Sequence, residues 1–192
     1  MEKLSKEYIK QIGQVWDRKN DSSARNSVFW DNSLHHMPNV HEAVRISKEI
    51  LNENGVFFCN DYIGESRFQW SDEKIDFTNK IRDDLEESIF FVGNEIFPRH
   101  RNRPTVEKML ASDPSEAADS INILPAIRTY FQNPRITMLG GVVYLILLDR
   151  MIQNIPEDSK LLDELILKDD EAKEQGMSLY AFILAQKNDE KC

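Results

Sequence analysis

The spacing of hydrophobic residues changes along the chain between the period of a helix and the continuous runs of buried strands. Apolar positions spaced by three and four residues predict an amphipathic helix over residues 3–18. A β-branched and aromatic run at residues 27–30 predicts a short strand. The helical period returns over residues 40–51, with Asn54-Gly55 as its stop signal. Residues 56–62 form an apolar run typical of a strand buried on both faces of a parallel sheet.

The second part of the chain is richer in helical patterns. Ser71 is typical of a helix N-cap, because acidic residues follow it in the first turn. The segment over residues 142–154 is apolar on nearly every side, which predicts a largely buried helix. From residue 71 onward the pattern predicts helices over 71–91, 105–110, 120–131, 142–154 and 157–176, and strands over 135–139 and 179–185.

This order of elements predicts an α/β fold with a mostly parallel sheet and helices on both faces. We expect a helix and a short strand over residues 1–30, followed by an α/β unit over residues 31–192. The helical stretch at about residues 71–132 would be an insert in that unit. At 192 residues the chain has the length of one domain.

Composition and charge argue against several classes of partner. The chain is 41% hydrophobic and 30% charged, which is typical of a folded globular protein. Its formal net charge of −9 disfavours a nucleic-acid backbone or an anionic membrane as the main partner. No apolar stretch has the length of a membrane span, and residues 1–30 lack the apolar core of a secretory signal. A cytoplasmic protein is therefore expected.

Polar residues follow two of the apolar runs at the points where the predicted strands end. One polar segment runs from Asn32 to His36, and the other from Asn60 to Tyr62. The carboxyl ends of parallel strands meet at one edge of a sheet, where open α/β sheets bind ligands. The two segments are therefore predicted to face a shared crevice.

A basic cluster, Arg99-His100-Arg101-Asn102-Arg103, lies inside this acidic chain. A solvated loop is one interpretation of such a cluster. A contact for an anionic ligand or substrate is the other.

The sequence predicts no metal site. His35, His36 and His41 are close in sequence, but their spacing does not place three imidazoles on one side of a helix. Cys59 lies in an apolar run, where a cysteine is normally a small hydrophobic residue. Together with Cys192 it makes neither a disulfide framework nor a set of metal ligands.

Several segments resemble the second half of class I methyltransferases, which use S-adenosylmethionine (SAM). Asn32 to Asn39 is similar to the segment after the family's fourth strand, and Glu49 to Phe57 is similar to the next helix and strand entry. One subgroup of bacterial small-molecule methyltransferases has further similar segments. These are Asn60 to Gly64, Arg67 to Trp70, Arg103 to Glu107, Ala111 to Ala117 and Leu139 to Gly141. The resemblance covers residues 31–187 and implies a partial Rossmann-like methyltransferase sheet with the helical insert on its substrate side.

The first half of that fold has no counterpart in the sequence. The family holds SAM chiefly with a glycine-rich turn after its first strand and an acidic residue ending its second. The seven glycines of the chain form no G-x-G motif, and the segment before Asn32 is too short for the absent strands and helices. The implied function is SAM-dependent methyl transfer to an oxygen or nitrogen of a small molecule, impaired by this absence. The alternative is a non-catalytic remnant that acts as a binding or dimerisation module.

The resemblance implies roles for residues after the first strand. Asn32, Ser33, Leu34 and His35 would line the SAM side. His35 or His36 could act as the base that removes a proton from the methyl acceptor. The structural alternative is that one histidine caps the following helix and the other is exposed.

The acceptor side begins at the end of the second strand. Asp61 could orient an amine or hydroxyl of the acceptor, or it could only hydrogen-bond the turn at Gly64. Phe68 and Trp70 could contact the substrate or belong to the core. The residues assigned to substrate binding by the resemblance are Asn60, Tyr62, Arg67, Gln69, Trp70 and Arg103.

A sheet without its first three strands would leave the backbone of residues 28–30 unpaired at an edge. Exposed edges pair readily with other strands. We therefore expect a homodimer or a partner chain at this edge.

Overall fold

The computed structural model describes residues 25–188. The helix predicted over residues 3–18 lies outside the described residues. The strands of the main sheet are β1 (Arg25–Asp31), β2 (Leu51–Tyr62), β5 (Arg135–Gly140) and β6 (Tyr180–Gln186), and a small hairpin is formed by β3 (Phe91–Val92) and β4 (Glu95–Ile96). The α-helices are α1 (Val40–Ile50), α2 (Asp72–Asp83), α3 (Val106–Ser112), α4 (Ile123–Tyr130) and α5 (Lys160–Glu174). The strands predicted at residues 27–30, 135–139 and 179–185 are confirmed, with small shifts of their ends.

The main sheet has the strand order β1-β2-β6-β5. β1 and β2 pair in parallel, whereas β6 is antiparallel to both β2 and β5. Three strands therefore run in one direction, with β6 inserted among them in the opposite direction. The α/β class is confirmed. The prediction of a mostly parallel sheet is wrong, because only the β1–β2 pairing among the described strands is parallel.

The main core lies between one face of this sheet and helices α1 and α4. Phe57, Cys59 and Ile183 are fully buried in it. Residues on the opposite face are more exposed, with 66% of Phe29 and 38% of Phe182 accessible to solvent. On β2 itself, Phe58 is half-buried and Asn60 is exposed, so the prediction of a strand buried on both faces is wrong. Helices on both faces of the sheet stay a prediction.

Helix α1 begins where the sequence predicts, since the Asn39 side chain accepts a hydrogen bond from the Glu42 amide at 3.0 Å. It ends at Ile50, and β2 begins at the next residue. The predicted stop signal at Gly55 instead lies within the strand. A Cβ atom at this position would lie 2.9 Å from the Leu51 side chain, so the close approach of the two residues favours glycine.

The segment between β2 and β5 forms the predicted insert, but it is not entirely helical. Helix α2 is capped by Ser71, whose hydroxyl accepts a hydrogen bond from the Lys74 amide. It ends at Asp83 rather than near residue 91. The apolar residues beyond it, including Ile89, are buried in a 3-10 turn that leads into the β3–β4 hairpin.

A buried arginine fixes the loop after this hairpin. Arg82 is 1% exposed, and its guanidinium donates hydrogen bonds to the backbone oxygens of Pro98, Arg99 and Leu147. Burial lowers the pKa of Arg82 to about 10. These bonds hold the start of the basic cluster against α2.

The segment predicted as one helix over residues 142–154 is divided in two. It forms a π-helix at Val143–Leu148 and a 3-10 helix at Asp149–Asn154. The break falls at Asp149, whose φ of 51° is left-handed and incompatible with a continuous α-helix. The predicted burial is confirmed, for example by Ile146, which is fully buried.

β1 forms one edge of the main sheet in the part of the chain that is described. Pairing of a second copy or a partner chain at this edge stays a prediction. Among residues 25–188, no helix combines the length and the apolar character needed to cross a membrane.

Candidate functional site

The parallel strands β1 and β2 end at the same edge of the sheet, and Asp61 joins the two ends. Its carboxylate accepts hydrogen bonds from the backbone amides of Ser33 at 2.9 Å and Leu34 at 2.7 Å. It also accepts a bond from its neighbour, the Tyr62 amide, at 2.9 Å. Asp61 is 1% exposed, so these contacts replace the water that the carboxylate loses. The predicted meeting of the two strand ends is confirmed.

The turn after β1 directs its amides toward Asp61. Asn32 has a φ of 46°, and its amide donates to the Asn60 carbonyl at 2.8 Å, which continues the sheet for one residue. A 3-10 turn over Leu34–His36 follows. Its first amide groups lack partners within the turn, so they are free to bind the carboxylate.

His35 is buried between two carboxylates. Its Nδ1 lies 2.5 Å from an oxygen of Asp61, and its Nε2 lies 3.6 Å from Oε1 of Glu116. The ring also contacts Tyr62 edge-on, with ring centroids 6.2 Å apart. Asp61 therefore fixes the orientation of His35 as well as the backbone around it.

His36 points toward the same glutamate. Its Nε2 lies 3.9 Å from Oε2 of Glu116, and its Nδ1 lies 3.1 Å from the Ser115 hydroxyl. That hydroxyl is 2.6 Å from a carboxylate oxygen of Asp113. The two imidazole rings are adjacent, with centroids 4.1 Å apart.

Glu116 lies in the insert, and Arg67 holds the Glu116 backbone in place. The Arg67 guanidinium donates to the Glu116 carbonyl at 3.0 Å, and the Arg67 amide donates to the Ala117 carbonyl at 2.7 Å. The Ala118 amide in turn donates to the His35 carbonyl at 3.0 Å. The insert is thereby joined to the turn after β1 through backbone hydrogen bonds.

Unfavourable backbone conformations are concentrated around this cluster. Asn32, Arg67, Phe68 and Ala117 all have φ values between 46° and 57°, and Asp149 is the one further non-glycine residue with positive φ among residues 25–188. Each such conformation costs roughly 1–3 kcal/mol and persists where surrounding contacts impose it. Strained residues of this kind are typical of ligand and active sites.

Several of the residues that the resemblance assigned to SAM already make contacts within the protein. Leu34 is fully buried, and the amides of Ser33 and Leu34 are bound to Asp61. The main contacts of Asp61 among the described residues are with the turn after β1 and not with the turn at Gly64. Orientation of a methyl acceptor by Asp61 stays a prediction. His35 is not exposed and does not cap α1, because Asn39 does so.

A separate cleft of about 600 Å³ opens on the insert side of the molecule. Aromatic and apolar groups form one part of its wall, and basic groups form another. The lining residues used below are Phe68, Trp70, Phe97, Arg101, Arg103, Lys108 and Arg150. Trp70 and Arg103 of the predicted substrate residues line this cleft.

The cleft is connected to the strand-end cluster by stacked aromatic rings. Phe68 stacks on Trp70, with centroids 5.2 Å apart and an interplanar angle of 16°. Phe68 also meets Tyr62 edge-on at 5.1 Å. Tyr62 is buried, which raises the pKa of its hydroxyl, and this hydroxyl accepts a hydrogen bond from the Trp70 indole. Phe68 and Trp70 thus combine a packing role with a place in the cleft wall.

Two basic groups of the cleft retain hydrogen-bonding capacity. Lys108 makes no ion pair with any described residue. Arg101 pairs with Asp149 at 3.2 Å through one terminal nitrogen, but its buried Nε has no hydrogen-bond partner in the described part of the chain. Arg103 and Arg150 are ion-paired, with Asp72 and Glu95 respectively.

The residues of the basic cluster differ in their positions, and contact with an anionic ligand stays a prediction. Arg99 donates to the carbonyls of Asp83 and Leu85, and His100 bonds to the Asp83 side chain, so both hold the loop in place. Arg101 and Arg103 line the cleft.

The other predicted substrate residues lie outside the cleft. Asn60 is exposed and its amide donates to Asp31, whereas Gln69 donates to the carbonyls of Arg67 and Pro104. Sequence reasoning missed Phe97, Lys108, Arg150 and Glu116. The resemblance included Glu116 within residues 111–117, but nothing in the local pattern connects it to the histidines.

No protein-family model matches the chain, and no curated protein matches it.

Proposed function

We propose that the chain binds a small organic anion, with a flat apolar body, in the cleft between Phe68 and Lys108. The observation that supports this most is that Arg101 and Lys108, which makes no ion pair with any described residue, line one cavity together with Phe68 and Phe97. An anionic group would accept hydrogen bonds from these donors, and a flat ring would pack on the aromatic wall.

The charge distribution supports an anionic ligand. The whole chain has a formal net charge of −9, yet the cleft lining contains four basic residues and one acidic residue, Glu95.

The size and composition of the cleft suit a small molecule. Ligand pockets usually measure about 300–1,000 Å³ and combine an apolar wall with a few polar groups that fix orientation. At about 600 Å³ this cleft is within that range. Arg101 lies over the Trp70 ring, with its central carbon 5.8 Å from the ring centroid, so charge and aromatic surface meet at one point.

Isothermal titration with benzoate tests this function, and benzamide is the matched control. Both probes have the same ring and nearly the same shape, but only benzoate is charged at neutral pH. We expect saturable one-to-one binding of benzoate and affinity for benzamide lower by about tenfold or more, or about 1.4 kcal/mol. Equal affinities, or no saturable heat with benzoate, would contradict the proposal.

The variant Lys108→Met identifies the binding site. It keeps most of the apolar length of the side chain but removes the charge, so benzoate affinity should fall by about tenfold. Lys168→Met is the matched control, because Lys168 is exposed on α5 and pairs only with Glu171 among the described residues. Equal benzoate affinity of the two variants would show that the cleft is not the site.

A second candidate function is SAM-dependent methyl transfer, which the resemblance over residues 31–187 favours. The parallel pairing of β1 with β2 and the position of His35 and Asp61 at the strand ends are compatible with that family. The amides of Ser33 and Leu34 are occupied by Asp61, so they offer no hydrogen bonds to SAM. Calorimetric titration with SAM and its demethylated product, S-adenosylhomocysteine, tests this candidate, and absence of heat with both would remove it.

A further inference from the structure

We propose that His35, His36 and Glu116 bind one divalent transition-metal ion, with Zn²⁺ as the fitting ion. One ligand atom from each of the three residues lies within 4.8 Å of the other two. The two imidazoles and one carboxylate are a ligand set that zinc accepts, with a fourth position left for water or another ligand. This site is distinct from the anion cleft.

Hydrogen bonds fix which nitrogen of His35 is available. Asp61 is an acceptor, because its carboxylate already receives the amides of Ser33 and Leu34. It therefore accepts the proton of His35 Nδ1 at 2.5 Å. The Nε2 of the neutral ring then has a free lone pair directed at Glu116. A carboxylate that orients a ligating histidine in this way is a common feature of zinc sites.

A second hydrogen-bonding chain, through Ser115, fixes which nitrogen of His36 is available. The Ser115 hydroxyl donates its proton to Asp113 at 2.6 Å, so its oxygen is left to accept the Nδ1 proton of His36 at 3.1 Å. The Nε2 of His36 therefore also has a free lone pair facing Glu116. Two unrelated hydrogen-bonding chains thus select the metal-binding tautomer of adjacent histidines.

With both rings neutral, as metal binding requires, three acceptors converge without a donor between them. The separations of 3.6 Å and 3.9 Å between the Nε2 atoms and the Glu116 oxygens exceed normal hydrogen-bond lengths. Bonds of about 2.0–2.1 Å to a tetrahedral ion place ligand atoms roughly 3.4 Å apart. The observed spacing is close to this value, and Glu116, at 27% side-chain exposure, can move to meet the ion.

The backbone around the cluster is rigidly held. Arg67 and Ala117 keep left-handed conformations, and the Arg67 amide donates to the Ala117 carbonyl. The Ala118 amide joins the insert to the turn after β1 by donating to the His35 carbonyl. The ligands therefore come from two segments that are fixed to each other before any ion binds. Such preorganisation favours metal binding because less conformational freedom is lost.

The experiment is a titration of the metal-free chain, produced without an affinity tag, with Zn²⁺. The variants His36→Gln and Glu116→Gln each remove one ligand at a partly exposed position. Variants at His35 are omitted, because that ring is buried against Asp61. His41→Gln and His100→Gln are the controls, since neither histidine belongs to the cluster.

We expect one equivalent of Zn²⁺ to bind the parent chain and both controls. The affinity should fall at least tenfold in His36→Gln and in Glu116→Gln, while their melting temperatures without metal stay close to that of the parent. X-ray absorption at the zinc edge should show imidazole ligands in the parent. Absence of one-to-one binding, or equal affinity of the parent and both ligand variants, would overturn the proposal.

Failure of this proposal is separable from failure of anion binding. Lys108→Met removes a cleft residue and should leave Zn²⁺ affinity unchanged. Glu116→Gln removes a metal ligand and should leave benzoate affinity unchanged. Loss of Zn²⁺ binding in Lys108→Met would also overturn the assignment of the metal to the histidine cluster.

Discussion

Asp61 determines the shape of the sheet edge, because one buried carboxylate binds the ends of two strands. It accepts backbone hydrogen bonds from the turn after β1 and from Tyr62, and it orients His35. An asparagine side chain of the same size could accept only part of these hydrogen bonds, because its NH₂ group cannot accept a hydrogen bond.

The variant Asp61→Asn should lower the free energy of unfolding by about 3 kcal/mol, since buried amides would lose a charged acceptor. Urea denaturation measures this change. Asp31→Asn is the matched control, because Asp31 is exposed and bonds only the Asn60 side chain among the described residues. The control should change stability by less than about 0.5 kcal/mol. Similar values for the two variants would mean that Asp61 does not hold the strand ends.

The sequence predicted the residues after the two strands but not their partners. Polar residues at the ends of β1 and β2 were recognisable because strand ends in an α/β fold meet at one edge. The approach of Glu116 to His35 and His36 was not recognisable in the sequence, because it depends on how the insert packs over the turn after β1. Lys108 and Arg150 reach the cleft for the same reason, through the packing of distant segments.

At the scale of the elements, two glycines with positive φ lie in turns, Gly141 after β5 and Gly93 between β3 and β4. Gly141 has a φ of 99°, and a Cβ atom there would lie 2.4 Å from the Tyr180 ring. Gly93, in the turn between β3 and β4, has a φ of 60° with no atom within 4 Å of such a Cβ. The two positions therefore separate the cost of a positive φ from the cost of a collision.

The variant Gly141→Ala should lower the free energy of unfolding by about 3 kcal/mol, because strain and collision add. Gly93→Ala should cost only about 1 kcal/mol from its left-handed conformation. Thermal or urea unfolding of the two variants gives the comparison. Equal losses of unfolding free energy in the two variants would show that the Tyr180 ring, at the start of β6, moves aside freely.

Local sequence patterns predicted most helices and strands, because helix caps and hydrophobic periodicity depend only on residues that are close together in the sequence. Ser71 and Asn39 each begin a helix as predicted, through side-chain bonds to nearby amides. The breaks were less predictable. Asp149 interrupts a helical pattern that is apolar on nearly every side, and β6 inserts antiparallel next to β2 because of long-range packing.

At the scale of the whole molecule, the buried Tyr62 and the partly buried Tyr180 make stability depend on alkaline pH. Burial raises the pKa of Tyr62, and it raises the pKa of Tyr180 to about 12. In the unfolded chain both hydroxyls titrate near pH 10. Above that pH the unfolded chain binds fewer protons than the folded chain, so the free energy of unfolding falls as pH rises.

We expect the Tyr180 contribution to decline between about pH 10 and about pH 12, by roughly 2 kcal/mol at most. Urea denaturation across this range measures the decline. Tyr180→Phe removes the titrating hydroxyl and should make the decline shallower. An identical pH profile for the variant and the parent would contradict the burial of this hydroxyl.

The cleft and the histidine cluster are two separate sites, joined by packed aromatic rings between β2 and the insert. Phe68 and Trp70 form this connection. Trp70 is 1% exposed, so a ligand in the cleft would contact Phe68, whose ring packs against Tyr62. Binding of an anion in the cleft is therefore the first property of the protein to measure.

Backbone amide NMR during a titration with benzoate tests that claim most directly. We predict progressive, saturable shifts for amides of residues 96–109 and for the Trp70 indole, with small changes at residues 133–137, which do not line the cleft. Benzamide at the same concentrations should produce smaller shifts. Shifts centred on residues 32–36, or no saturable shifts around the cleft, would contradict the account.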